Sequence, residues 1–169
     1  YTLRRQPGSN LQALQTIGAD FQLATSAFRG SRNLSSTGFF LHNTNPLNTG
    51  KSSAYGVRMD YPNDRWNTGM LHRTVQERFN PAVGFITRNA YRLYNPYLNF
   101  SPRPRDNRYI RRFGFTGDVV VQTGLDNQPL SRVWNLTVFN MDLHSQDAVS
   151  VLVIPDHERL DRPFNLARG

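Results

Sequence analysis

Asp60 and Asp118 stand at polar positions of alternating stretches. Two carboxyl groups facing one cavity are what glycoside hydrolysis needs, one to donate a proton and one to attack or to activate water. The chain is short of acids for that chemistry, Glu77 and Glu158 being its only glutamates. Arginines of the same faces hold neighbouring carboxyls ionised, the opposite of what a general acid requires. A glycoside hydrolase is therefore the minor alternative. The histidines, at 42, 72, 144 and 157, never recur at the i, i+4 spacing of a helical metal site. The absence of cysteine excludes thiol catalysis, disulfides and cysteine-ligated metals. No serine sits in a G-x-S-x-G elbow, and Gly50-Lys51-Ser52 lacks the upstream glycine of a phosphate-binding loop. The reading is of a protein that is not an enzyme, with no catalytic residue, metal or cofactor.

Charge points to a different class of work. The formal net charge is +8, and Lys51 is the single lysine among 20 basic residues. Arginine's planar fork suits anion recognition and bidentate pairing with carboxylates better than an ammonium does. The arginines are scattered singly or in pairs, with no zinc-finger, helix-turn-helix or RNA-recognition pattern. Nucleic acid is thus not an expected partner.

The elements that must position these charges show a period of two. In "QTIGADFQLAT" the residues Ile17, Ala19, Phe21 and Leu23 alternate with Gly18, Asp20 and Gln22. "AYGVRMDYP" sets Tyr55, Val57, Met59 and Tyr61 against Gly56, Arg58 and Asp60. "RFGFTGDVVVQ" sets Phe113, Phe115, Val119 and Val121 against Arg112, Gly114, Thr116 and Asp118. "VGFITRNAYRL" sets Val83, Phe85, Tyr91 and Leu93 against Gly84, Arg88, Ala90 and Arg92. Further strands are expected in "STGFFLHN", "WNTGMLHRTVQ", "RVWNLTVFNMDL" and "DAVSVLVI", with turn clusters such as "SPRPRDNR" and "GLDNQPL" between them. The fold class is all-β, with antiparallel up-and-down strands.

A soluble sandwich would alternate in the same way. Two features favour an arc of a transmembrane β-barrel. The minor face carries mid-strand charge, at Asp20, Arg58, Asp60, Arg112 and Asp118, and the major face carries aromatics near its ends, at Tyr55, Tyr61, Trp66, Tyr91, Tyr94 and Tyr97. A charged interior with an apolar outer band and aromatic girdles is how such a barrel reads. The residues expected to line its lumen are Asp20, Arg58, Asp60, Arg88, Arg92, Arg112 and Asp118.

The block "ERFNPAVGFITRNAYR" reads as a structural corner. Asn80-Pro81 ends a strand, Gly84 admits a bend or a close approach, Phe79 and Phe85 pin the corner and Arg88 ties it down. A loop folding into the lumen as a constriction is the alternative.

In order, "FRGSRNL", "YGVRMDYPNDRWN", the "ERFNPAVGFITRNAYR" block, "SPRPRDNRYIRR" and "VLVIPDHERLDRPF" resemble one family. It is the uncharacterised bacterial barrel found downstream of a family 9-type carbohydrate-binding module in envelope proteins. The resemblance spans about Asp20 to Phe164 and implies a bacterial outer-membrane location. It also implies that residues 1–169 form a single β-barrel region, part of a longer barrel. The partners it implies are outer-membrane lipid, the remaining strands of the same barrel or another envelope chain, and carbohydrate. Two functions follow as expectations. One is a structural, pore or docking role for a polar solute, sugar-like or anionic; the other is a soluble carbohydrate-binding β-sandwich that stacks sugars on Trp66, Trp134 or tyrosines.

Overall fold

A computed structural model describes residues 2–5, 13–44, 50–81, 86 and 88–159. They contain no helix, and their strands make one antiparallel sheet. The strands are β1 (Thr2–Arg5), β2 (Ala13–Phe28), β3 (Arg32–Thr44), β4 (Ser53–Pro62), β5 (Trp66–Val75), β6 (Tyr91–Phe100), β7 (Ile110–Gly124), β8 (Pro129–Leu143), β9 (Ala148–Val153) and β10 (Asp156–Glu158). Each pairs with its chain neighbour, except that β9 and β10 both lie along the outer edge of β8. Together β9 and β10 act as one edge strand interrupted at Ile154 and Pro155, where Trp134 N still donates to Pro155 O at 3.0 Å. The sheet is open, its path running from β1 to β10.

Register converts the alternation into two faces, because directly paired residues project to the same side. Phe40, Tyr55 and Thr74 share one face, as do Met59 and Met70, Trp66 and Phe100, and Val119 and Trp134. The opposite face carries Arg58 and Leu71, Asp60 and Gly69, and Tyr97 and Asp118. Among the described residues no second layer covers the first face. Phe21, Phe40, Met59, Met70 and Leu98 there are all well exposed, Met59 at 53 %. A soluble protein of this size ordinarily buries such side chains.

Glycines let the strands approach closely under overlying rings. A Cβ on Gly69 would lie 2.6 Å from Tyr97 Cε1 and from Met59 O, and one on Gly56 would lie 2.8 Å from Phe39 Cε1. An aromatic ring laid on a bare glycine buries backbone that no side chain covers, and it pins the register of the pair. Pro96, in mid-sheet, calls for its own repair. It has no N–H for the ladder, and pairing with β7 passes over Asn95 and Pro96. Asn95 Nδ2 donates to Val119 O at 3.1 Å and so satisfies the carbonyl at the gap.

The stretch "VGFITRNAYRL" is not one strand. β6 begins at Tyr91, and Ile86 and Arg88–Ala90 lie in the β5–β6 connection; Val83, Gly84 and Phe85 lie outside the described residues. Ala90 adopts φ +57, a left-handed conformation that breaks an extended run just before Tyr91.

Gly69→Ala should lower unfolding stability by about 1–3 kcal/mol, the usual cost of overpacking. Gly117→Ala, whose Cβ would meet only Leu136 Cδ2 at 3.6 Å, should change it by less than about 1 kcal/mol. Paired denaturant titrations followed by tryptophan fluorescence measure both, and equal losses would remove the packing explanation.

Candidate functional site on the polar face

The polar face has two zones. At the end where β5 runs into β6, the connection folds over the sheet. Phe79 is buried there with Ala54, Val75 and Tyr91, and Phe39, Leu41, Ile86 and Leu93 pack around them. The main chain of this fold-over is held by side-chain amides. Asn43, 2 % exposed, accepts from Asn80 N at 2.8 Å and donates to Thr16 Oγ1 at 2.6 Å. Asn89 Nδ2 donates to Phe79 O at 2.8 Å, and Gln76 Oε1 accepts from Ser53 N at 2.8 Å. A buried amide that serves both strand and loop fixes their relative position, since any slip leaves a polar group unpaired.

This apolar zone overturns part of the expected lining. Register places Tyr91 and Leu93 on the polar face, under the connection. Arg92 therefore projects to the opposite side, paired with Thr74 and Thr123 and bonded to Asn127 Oδ1. Strict alternation of greasy and polar residues misassigns both because the interior-type face is itself greasy where the connection packs. Arg88 stands in the connection rather than on a strand, and Tyr97, expected among the apolar-face aromatics, is also on the polar face.

Beyond that zone the face is a lattice of paired charges and amides. Arg58 Nε donates to Asp60 at 2.8 and 3.0 Å, and the Tyr97 hydroxyl donates to Asp60 Oδ1 at 2.8 Å. The Arg58 guanidinium also lies over the Tyr97 ring, 5.8 Å from its centre. One strand further, Asp118 accepts from Asn95 at 2.7 Å and from Asn135 at 3.3 Å. Near the other end of β7, Arg112 grips Asp142 through Nε at 2.9 Å and Nη2 at 2.6 Å, with Arg111 at 3.6 Å. Asp20, Arg58, Asp60, Arg112 and Asp118 thus share one face as the alternation predicts, the last four in three separate groups and Asp20 apart from them. Asp20 lies across an open groove of about 430 Å³ from Arg58, with Gln22, Thr37, Phe39 and Leu71 between.

Tyr97, Asn95, Asn135 and Asp142 complete these groups; the first three are missed by reading charges alone, and Asp142 because its stretch is read as a strand without its faces. Arg73 was missed as well, although its parity with Gly69 and Leu71 marks it. It lies over the Tyr91 ring at 5.6 Å, and its Nε is buried without a hydrogen-bond partner.

No family model, curated protein or solved structure matches this chain.

Chemically, the face offers donors and acceptors of both signs at fixed spacing. Asp60 receives three donated bonds. Among the described residues no three metal-ligating side chains gather. Donors and acceptors of this kind are the groups that can take over hydrogen bonds from the hydration shell of a polar solute.

Phe79→Ala should release the connection, the loss of one buried ring costing about 3 kcal/mol or more. Tryptic cleavage after Arg78 and Arg88 should then accelerate at least about tenfold, as that energy allows. Unchanged cleavage would mean that the ring does not hold the connection down.

Proposed function

We propose that the sheet is part of the wall of an outer-membrane β-barrel, with the polar face turned to a water-filled interior through which a polar solute passes or on which it docks. The observation that carries this reading is the uncovered apolar face, most of whose rings collect toward the two strand ends, with Phe21 and Trp134 standing between. At one end Trp66 stacks on Phe100 at 4.1 Å, Phe100 lies 6.2 Å from Phe115, and Phe28 meets Tyr61 edge-on at 6.4 Å. At the other, Phe40 lies over Tyr55 at 6.5 Å and Tyr94 packs on His72 at 4.8 Å. Val57, Met59, Met70, Leu98 and Val119 lie between. Rings flanking an aliphatic band match the chemistry of a bilayer, amphipathic at its interfaces and oily at its centre.

Strand length agrees. β4, β5 and β6 have 10 residues each, and a tilted strand needs about 9–11 to cross. An up-and-down meander is also the topology by which antiparallel strands close into a barrel. Trp66, one of the rings expected to stack sugars, already has its face on Phe100, which weakens the soluble carbohydrate-binding reading at that ring.

Native membranes washed with high salt and urea should retain the protein, and detergent should release it. Release by salt alone would hand the case to the soluble sandwich. In planar bilayers the purified native protein should conduct, and Arg58→Gln should shift selectivity toward cations by about twofold or more. Charges 4 Å apart interact by ~1 kcal/mol even in water. An unchanged reversal potential would remove Arg58 from the solute path.

A further inference from the structure

One end of the sheet is unlike the other in charge. The connections there are residues 29–31, 63–65, 101–109 and 144–147. They and the adjoining strand ends expose Arg29, Arg32, Arg65, Arg105, Arg108 and Arg111, against Asp64, Asp106 and Asp147. Arg103 is also present and is taken up by Asp64 at 2.7 Å. The opposite end is mixed, with Lys51 paired to Glu77 at 3.1 Å and Asp126, Asp156 and Glu158 among its arginines.

Three of the arginines have a common arrangement. Arg29 lies over Phe28 at 5.6 Å, Arg65 over Phe100 at 5.5 Å and Arg108 over Tyr109 at 5.9 Å. None of the three takes part in an ion pair among the described residues. Phe28 and Phe100 are themselves rings of the aromatic cluster at this end. A guanidinium lying over a ring spends its face and keeps its in-plane N–H groups for a bidentate oxyanion.

We infer that this arginine rim binds the phosphates of anionic phospholipid headgroups. The inference rests on the membrane-wall reading and extends it to a lipid class. Position decides for a lipid, because Arg29 and Arg65 sit on rings that edge the apolar face, where headgroup phosphates meet acyl chains, and Arg108 stands in a connection at the same end. Three of the four connections at this end are short, as is usual for the periplasmic side of such barrels.

The test uses native protein exchanged from detergent into vesicles of phosphatidylcholine, or of an equal mixture with phosphatidylglycerol, at low and high salt. Wild type should partition into the mixed vesicles at least about tenfold better at low salt, an advantage that salt erodes. The triple variant Arg29→Gln, Arg65→Gln, Arg108→Gln should enter both kinds equally. Arg132→Gln, at the far end, should keep the preference. Wild type entering both kinds equally would overturn the lipid inference and leave the membrane reading standing. Entry into neither would overturn both. Loss of the preference in inorganic phosphate, but not in chloride of equal ionic strength, would assign the rim to free phosphate and so also overturn the inference.

Discussion

A sheet one layer thick has no interior. The backbone ladder from β1 to the β9–β10 edge satisfies the main-chain polar groups of its inner strands, but it leaves each face to find its own surroundings. Here the faces call for opposite ones. One carries exposed rings and aliphatic chains, and the other carries Arg58 with Asp60, Asp118 with its two asparagines, and Arg112 with Asp142. Two solvents, one on either side, meet that demand without a second layer. The proposed membrane setting rests on this constraint rather than on any single residue.

The same constraint explains what holds the sheet in register. With so small a buried cluster, interdigitation in a core contributes little, and the specifying contacts lie within the sheet itself. Tyr97 over Gly69 and Phe39 over Gly56 each tie a side chain of one strand to bare backbone of the next. Asn95, beside Pro96, supplies a side-chain N–H where the ladder lacks one. The residues around Gly69 and Tyr97 also form the Asp60 group, so the packing that sets register sets the spacing of the charges.

The strands were legible in the sequence wherever one face was uniformly apolar. The stretches around Phe21, Val57 and Phe115 were read with the correct face, and Asp20, Arg58, Asp60, Arg112 and Asp118 came with them. β6 was not legible. Pro96 argues against a central strand, and only the compensating amide of Asn95, a tertiary effect, makes it tolerable. Arg92 was assigned to the wrong side because Tyr91 and Leu93 are apolar for a local reason, the connection that folds over them. Period-two reasoning assumes that each face keeps one solvent along its whole length, and here the polar face is covered at one end. The amides that complete each charged group were invisible for a simpler reason: Asn95 and Asn135 acquire meaning only when register sets them beside Asp118.

Every strand touches only the strands beside it in the sheet, and apart from the split edge of β8 these are its neighbours along the chain. Such a meander can assemble one hairpin at a time, each closing a connection local in sequence before the next begins. It also makes the hairpin a unit of inheritance. Gain or loss of one pair of strands leaves the remaining pairings intact, so a lineage built on this plan can widen or narrow its sheet by duplication without reinventing the contacts on either side.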